Sequence, residues 1–245
     1  MKTILNNQLN FRDLGGIVTT DGWKVKQGLL FRSGDFFSLS PQDILTLEQM
    51  NLSTIIDLRA QREIDKRPDK VPSTIKELIH IDIHDAARDK AERFLENNDA
   101  EGLETVLIGD YIRMTDTCQA EFSRFLQILA TTENLPLVYH CAAGKDRTGL
   151  ATVFLLTALG VDIQNIWDDY MATNEYAASY TEKIIRKVTE SGLNGSILRP
   201  LLEVRKEYLG SALTHIDEKY NGLKCFVEVV LKADTAMLKK KYLGF

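Results

Sequence analysis

Cysteine is scarce in this chain of 245 residues, which has only Cys118, Cys141 and Cys225. They are odd in number, far apart and without Cys-x-x-Cys spacing, which excludes a disulfide framework and a cysteine-based zinc site. Such usage fits a reducing compartment, so a cytoplasmic location is expected. A long hydrophobic run is also missing. The longest apolar stretch, Leu150 to Val161, is too short to span a bilayer. The opening MKTILNNQLNFRD has one lysine and no apolar core of signal-peptide length. A soluble chain with no stable membrane insertion is expected. Glycine and proline are not enriched, and no repeat, low-complexity tract or Gly/Ser linker divides the sequence. One domain over residues 1–245 is therefore expected, and a monomer. Positive charge is not in excess either. The net charge of −5 argues against a general nucleic-acid binder. An anionic substrate stays open, because a local cluster of donors outweighs a distant net charge.

What is present is an alternation of strand and helix patterns. Residues 16 to 31 read as short strands around turns, with Thr20-Asp21-Gly22 as a hairpin turn and Leu29-Leu30-Phe31 as an apolar strand. Ser40 is placed to cap a helix, with Pro41 at its first position and Asp43 in its first turn. Thr54 to Arg59, Leu78 to Ile83 and Leu137 to Tyr139 read as buried strands. Residues 86 to 132 carry Leu103, Leu107, Tyr111, Phe122 and Phe125 at helical spacing. Beyond Tyr139 the chain reads as helical almost to its end, with breaks near Gly192 to Gly195 and at Asp234. The expected fold class is α/β, a largely parallel central sheet flanked by helices with a helical C-terminal half. Ligands of such sheets sit outside the carboxyl ends of the strands. Three strand ends carry polar groups: Asp57 with Arg59, His84 with Asp85, and His140 with Cys141.

The densest chemistry lies in HCAAGKDRTG, residues 140 to 149. This segment leaves a strand and enters a helix, so a tight loop there turns backbone N–H groups inward as an anion nest. Ala142, Ala143 and Gly144 are small enough for a ligand to approach the backbone, and Lys145 and Asp146 complete the phosphate-binding set with Arg147. Arg147 can close the ring with a guanidinium fork matched to two phosphate oxygens. The same donors favour the thiolate of Cys141. A thiolate beneath such a cradle can attack phosphorus in line and form a cysteinyl-phosphate that water then hydrolyses. Thr148 can offer its hydroxyl to the sulfur, and His140 is placed to orient the loop.

The loop matches the Cys-x5-Arg-Ser/Thr signature and resembles that of the protein tyrosine phosphatase superfamily. Its Lys-Asp-Arg core is similar to the branch of bacterial and fungal tyrosine and lipid phosphatases that includes the PtpB-type enzymes. NFRDLGG (10–16), LFRSGDF (30–36), IIDLRAQREI (55–64) and VRKEYLGSALTHIDEKYNGL (204–223) also resemble segments of that branch, so the resemblance runs from end to end. It implies a tyrosine-phosphatase-like fold and a phosphocysteine mechanism that needs no metal or other cofactor. It also implies a general acid. Asp146 either makes a structural hydrogen bond or is protonated and donates to the leaving group; the second role is favoured, with Asp85 and Asp82 as candidates on a separate loop. The implied partners are phosphotyrosine proteins or peptides, with phosphoserine and phosphothreonine as further possibilities. Phosphoinositides are a second class, because Lys145 adds a cation to the loop rim. A helical lid is looked for within residues 86 to 114.

Plainer readings stand beside these. His80, Asp82 and His84 alternate onto one strand face and could ligate a metal, but a polar strand end facing a cleft is the stronger reading. Arg12 and Asp13 are expected to support the loop, as the resemblance implies. Arg59 and Glu63, four apart, are expected to pair with each other. Cys118 and Cys225 read as small apolar fillers. Lys239-Lys240-Lys241 reads as a solvated helix face. A phosphotyrosine-binding module without turnover is opposed by the presence of Cys141, Arg147 and Thr148. Arsenate reduction is opposed by the lack of placed partner cysteines. A nucleotide P-loop is excluded, since no GxxxxGK[ST] occurs.

Overall fold

The computed structural model describes Leu5 and residues 9–244, apart from the side chains at 88 and 89; the opening segment read above for a leader lies mostly outside them. The strands are β1 (Arg12–Asp13), β2 (Lys24–Val25), β3 (Leu30–Ser33), β4 (Thr54–Asp57), β5 (Glu77–His80), β6 (Leu137–His140) and β7 (Leu243–Gly244). The helices are α1 (Pro41–Gln49), α2 (Gln61–Lys66), α3 (Ala86–Glu96), α4 (Ala100–Thr117), α5 (Gln119–Thr131), α6 (Arg147–Leu159), α7 (Ile163–Glu190), α8 (Arg199–Leu202), α9 (Lys206–Tyr220), α10 (Leu223–Cys225) and α11 (Thr235–Tyr242).

Five strands form one sheet in the order β1-β3-β6-β4-β5. Only β1 runs antiparallel to its neighbour. The alternation of side chains explains the two-sided core. Leu30, Ile56 and Tyr139 face the large cluster built with α4, α5 and α6. Phe31, Ile55 and Val138 face a smaller cluster with Leu47 of α1. Strands buried on both faces read as continuous apolar runs, which is why β4 and β6 are legible locally. Helix α6 crosses the interior, with only Thr157 not fully buried, so its sequence RTGLATVFLLTAL shows no polar stripe.

The start of α1 follows its local signals. Ser40 Oγ accepts from Asp43 N at 3.1 Å, and the Asp43 carboxylate accepts from Ser40 N. Two strands are shorter than their apolar runs suggest. β4 stops at Asp57 because its carboxylate takes the Arg59 N–H at 2.9 Å, turning the chain out of the ladder. β5 stops at His80, although Ile81 and Ile83 remain buried. At the far end β7 pairs with β2 as a separate antiparallel ribbon, a long-range pairing with no local signal. Lys241 is not on a solvated face as expected. Its ammonium donates to the Leu129 and Thr132 carbonyls, satisfying groups at the end of α5. Among the described residues no helix is long and apolar enough to cross a membrane.

Candidate active site

The parallel register sets Asp57 of β4 and Ser33 of β3 on either side of His140, the last residue of β6. Cys141 follows at once, and α6 begins at Arg147. Cys141 is 2% exposed and lies at a cavity of about 530 Å³. The loop between them is held from outside. Gly144 O accepts from Asn10 Nδ2 at 2.6 Å and from Arg32 Nη2 at 2.8 Å, and Ala142 O accepts from Asp35 N at 3.0 Å. In a trans peptide the N–H points opposite to the carbonyl. The N–H groups of Ala143 and Lys145 therefore turn away from these outer partners. Gly144 has φ +67°, and a Cβ there would stand 2.3 Å from the Ser33 carbonyl oxygen, so both the turn and its packing on β3 require glycine.

Arg147 is gripped end-on. Glu63 of α2 accepts from Nη1 at 2.6 Å and from Nη2 at 2.9 Å, and the Ile83 carbonyl accepts from Nη1 at 3.2 Å. Among the described residues Nε has no partner, and Asp85 is 3.6 Å from Nη2. The Nε/Nη2 edge thus remains for a planar or tetrahedral anion. Burial opposes the guanidinium charge, but Glu63, Cys141 and Asp85 outweigh it and keep Arg147 protonated. The expected pairing of Arg59 with Glu63 is not formed. Helix α2 begins only at Gln61, so Arg59 lies outside the helical register that would bring the two together.

Arg59 instead donates to both carboxylate oxygens of Asp57 and to Asp69 at 2.9 Å. His140 joins this buried group, with Nε2 3.2 Å from Asp69 and Nδ1 3.1 Å from the Cys141 carbonyl oxygen. Burial works against a charged ring, but Asp57 and Asp69 prevail and push the His140 pKa up to about 9. Asp57 therefore acts in this network behind the loop. Asp57, Asp69 and His140 bring potential ligand atoms within 4.8 Å of one another. Their charge is already met by Arg59 and by the imidazolium itself, so the set is accounted for as an ion network. The HIDIHD side chains do not converge. His80 Nε2 bonds the Arg59 carbonyl at 2.7 Å, whereas Asp82 and His84 point outward and are exposed.

Lys145 is buried rather than set on a rim, and its ammonium donates to Asp146 Oδ1 at 2.8 Å. The same oxygen accepts from Tyr111 Oη at 2.8 Å, and Tyr111 lies 2.9 Å from the Tyr170 hydroxyl. Asp146 and Asp85 both line the cavity; Asp82 does not. The Thr148 hydroxyl is fully buried beneath the loop without a nitrogen or oxygen partner among the described residues. Arg12 and Arg32 both bind Asp169 of α7, which draws the N-terminal segment against that helix. Asp13 differs from its expected supporting role. It closes a turn by accepting from Gly15 N and Gly28 N at 2.8 and 2.7 Å, and does not reach the loop.

Asn10, Asp69 and Asp110 were not among the expected site residues, and Glu63 and Tyr111 were expected only as a local pair with Arg59 and as part of a helical face. Asn10 and Glu63 lie inside the quoted segments NFRDLGG and IIDLRAQREI, which was the signal available. Asp110 lines the cavity from α4. Burial, with Arg113 opposing and Asp85 and Asp146 assisting, raises its pKa.

The chain is similar to known phosphatases along most of its length. The sequence profile of the tyrosine phosphatase family matches residues 4–244. A putative tyrosine-protein phosphatase of Cupriavidus necator is 28% identical over 240 residues, covering 96% of this chain and 86% of that protein. The triple specificity protein phosphatase PtpB of Mycobacterium tuberculosis is 28% identical over 249 residues, covering 87% of this chain and 88% of that protein. With a cysteine and an anion-ready arginine bracketing a glycine-turned loop between β6 and α6, and a family match along almost the whole sequence, the chain belongs to the tyrosine phosphatase family.

Proposed function

We propose that this protein is a protein-tyrosine phosphatase that hydrolyses phosphate monoesters through a cysteinyl-phosphate at Cys141. The observation that carries the reading is Arg147, clamped by Glu63 with its Nε/Nη2 edge left for an anion beside Cys141. Cys141 Sγ attacks phosphorus as the bond to the leaving oxygen breaks, while Arg147 and the loop N–H groups of residues 142 to 147 meet the charge on the equatorial oxygens. Asp146 gives its proton to the leaving oxygen and later takes one from the attacking water. Asp85 is the alternative donor. Thr148 offers its hydroxyl to the departing thiolate, and His140 fixes the loop through the Cys141 carbonyl.

The expected substrates are phosphotyrosine proteins or peptides. Phosphoserine, phosphothreonine and phosphoinositides are further classes, in line with the name of the triple specificity relative. Lys145, buried and paired with Asp146, would have to leave that carboxylate to meet a second phosphate. The chain is read as one cytoplasmic phosphatase domain acting as a monomer. Residues 86 to 114 are read as a lid, since α3 and α4 line the cavity.

Hydrolysis of p-nitrophenyl phosphate by the wild type and by Cys141→Ser tests the reading. Vanadate-sensitive turnover that vanishes in the variant is expected. Turnover that persists without the sulfur removes the mechanism, and a panel with no phosphoinositide turnover removes the lipid class.

A further inference from the structure

We propose that Tyr111 is a positioning residue that ties α4 to the catalytic loop and aims Asp146 at the leaving group; this rests on the proton-donor reading of Asp146 above. The donor count carries it. A phenol has one hydroxyl hydrogen. Tyr111 spends that hydrogen on Asp146 Oδ1, so the contact with Tyr170 is made by the Tyr170 hydrogen. The hydrogen bonds run in one direction, from Tyr170 of α7 through Tyr111 of α4 to Asp146. Lys145 donates to the same Oδ1. Oδ1 is thus held by two donors, while Oδ2 has no hydrogen-bond partner among the described residues.

A carboxyl held by one oxygen leaves the other to carry and release a proton. Here that oxygen belongs to a side chain that lines the cavity with Cys141 and Arg147. Both tyrosines are fully buried, and Tyr111 packs edge-on to Tyr170 and against Tyr208 of α9. The hydroxyl is therefore placed by a ring packed between Tyr170 and Tyr208, with little freedom to follow a wandering carboxylate. Helix α4 also supplies Leu107, Asp110 and Met114 to the cavity wall. The same helix that walls the cavity holds the proton donor in place, so a displaced α4 would uncover the site and misaim Asp146 together.

The test compares two leaving groups. Proton donation matters little when p-nitrophenolate departs and much when phenolate departs. Tyr111→Phe is expected to lose about tenfold more in kcat on phenyl phosphate than on p-nitrophenyl phosphate, with KM changed less than about twofold. Combined with Asp146→Asn, it is expected to add no further loss on phenyl phosphate, because both changes remove one unit. Tyr170→Phe keeps the Tyr111–Asp146 bond but loosens its donor, so the same selective loss is expected at about threefold. It also carries the test should Tyr111→Phe fold poorly. Equal losses on both esters, or losses that multiply with Asp146→Asn, would overturn the proposal and leave Tyr111 a packing residue. A wild type without Cys141-dependent turnover of either ester would instead remove the phosphatase reading, and this inference with it.

Discussion

Glu63 shows how much of a phosphate site can rest on a residue that never meets phosphate. Its carboxylate takes two N–H groups of Arg147 and also the Ala60 N–H at 3.0 Å. One side chain thus closes the first turn of α2 and aims the guanidinium. Both partners are buried, so removing the charge of one strands the other. Glu63→Gln is expected to destabilise the protein by about 3 kcal/mol, the scale of a broken buried pair. It is also expected to lower kcat/KM for p-nitrophenyl phosphate about a hundredfold, as a misaimed transition-state donor does. Urea unfolding and steady-state kinetics on the same preparation measure the two effects. A variant of ordinary stability and activity would show that Arg147 needs no anchor.

At the scale of elements, the site depends on how closely the loop after β6 lies on β3. Gly144 and Gly160 both have φ in the left-handed region, at +67° and +83°. An alanine in that region costs about 1–2 kcal/mol wherever it occurs. Their surroundings differ. A Cβ at residue 144 meets the Ser33 backbone at 2.3 Å, whereas one at residue 160 meets the flexible end of Lys239 at 3.2 Å. Gly160→Ala is therefore expected to cost about 1–2 kcal/mol with activity intact. Gly144→Ala must also push the loop off β3, so a larger loss of stability and the near-complete loss of turnover are expected. Parallel urea midpoints and p-nitrophenyl phosphate assays decide it, and equal behaviour of the two variants would contradict the packing argument.

Over the whole molecule, the buried charges set the pH range in which the fold is most stable. His140 titrates near 9 when folded against an ordinary value of 6.5. A ring that binds its proton more tightly when folded stabilises fully below the ordinary value, and that stabilisation is lost as pH rises through about 9. A shift of this size is on the order of 3 kcal/mol. Asp69 and Asp169 act in the opposite sense. Burial resists their charge, but His140 and Arg59 hold Asp69 low, and Arg12 and Arg32 hold Asp169 low. Their contribution is present above the ordinary carboxylate range and lost as pH falls below it. Urea midpoints are expected to plateau from about pH 5 to pH 7 and to fall by about pH 10. In His140→Asn the alkaline fall should be smaller; an unchanged alkaline slope would show that the ring is neutral in the folded state.

The local features of this protein were written in consecutive residues. The Ser40-Pro41-Asp43 helix start, the apolar cores of β4 and β6, and the spacing from Cys141 to Arg147 each depend on neighbours within a few positions. Backbone propensity, side-chain alternation and loop closure act over that range. The partners of the loop were set at longer range. Glu63 reaches Arg147 across 84 positions, Asn10 reaches Gly144 across 134, and Tyr111 reaches Asp146 across 35. No periodicity encodes such pairs, because they exist only once the parallel register and the packing of α2, α4 and α7 bring their side chains together. For that reason the partner that helical spacing suggested for Glu63, Arg59, was the wrong one. The sequence determined that a cysteine and an arginine share one anion-binding turn; the tertiary structure decided which carboxylate aims the arginine, which hydroxyl holds Asp146, and that Lys145 is tied to Asp146. Which charges meet in a buried site depends on three-dimensional proximity and desolvation, and neither is set by distance along the chain.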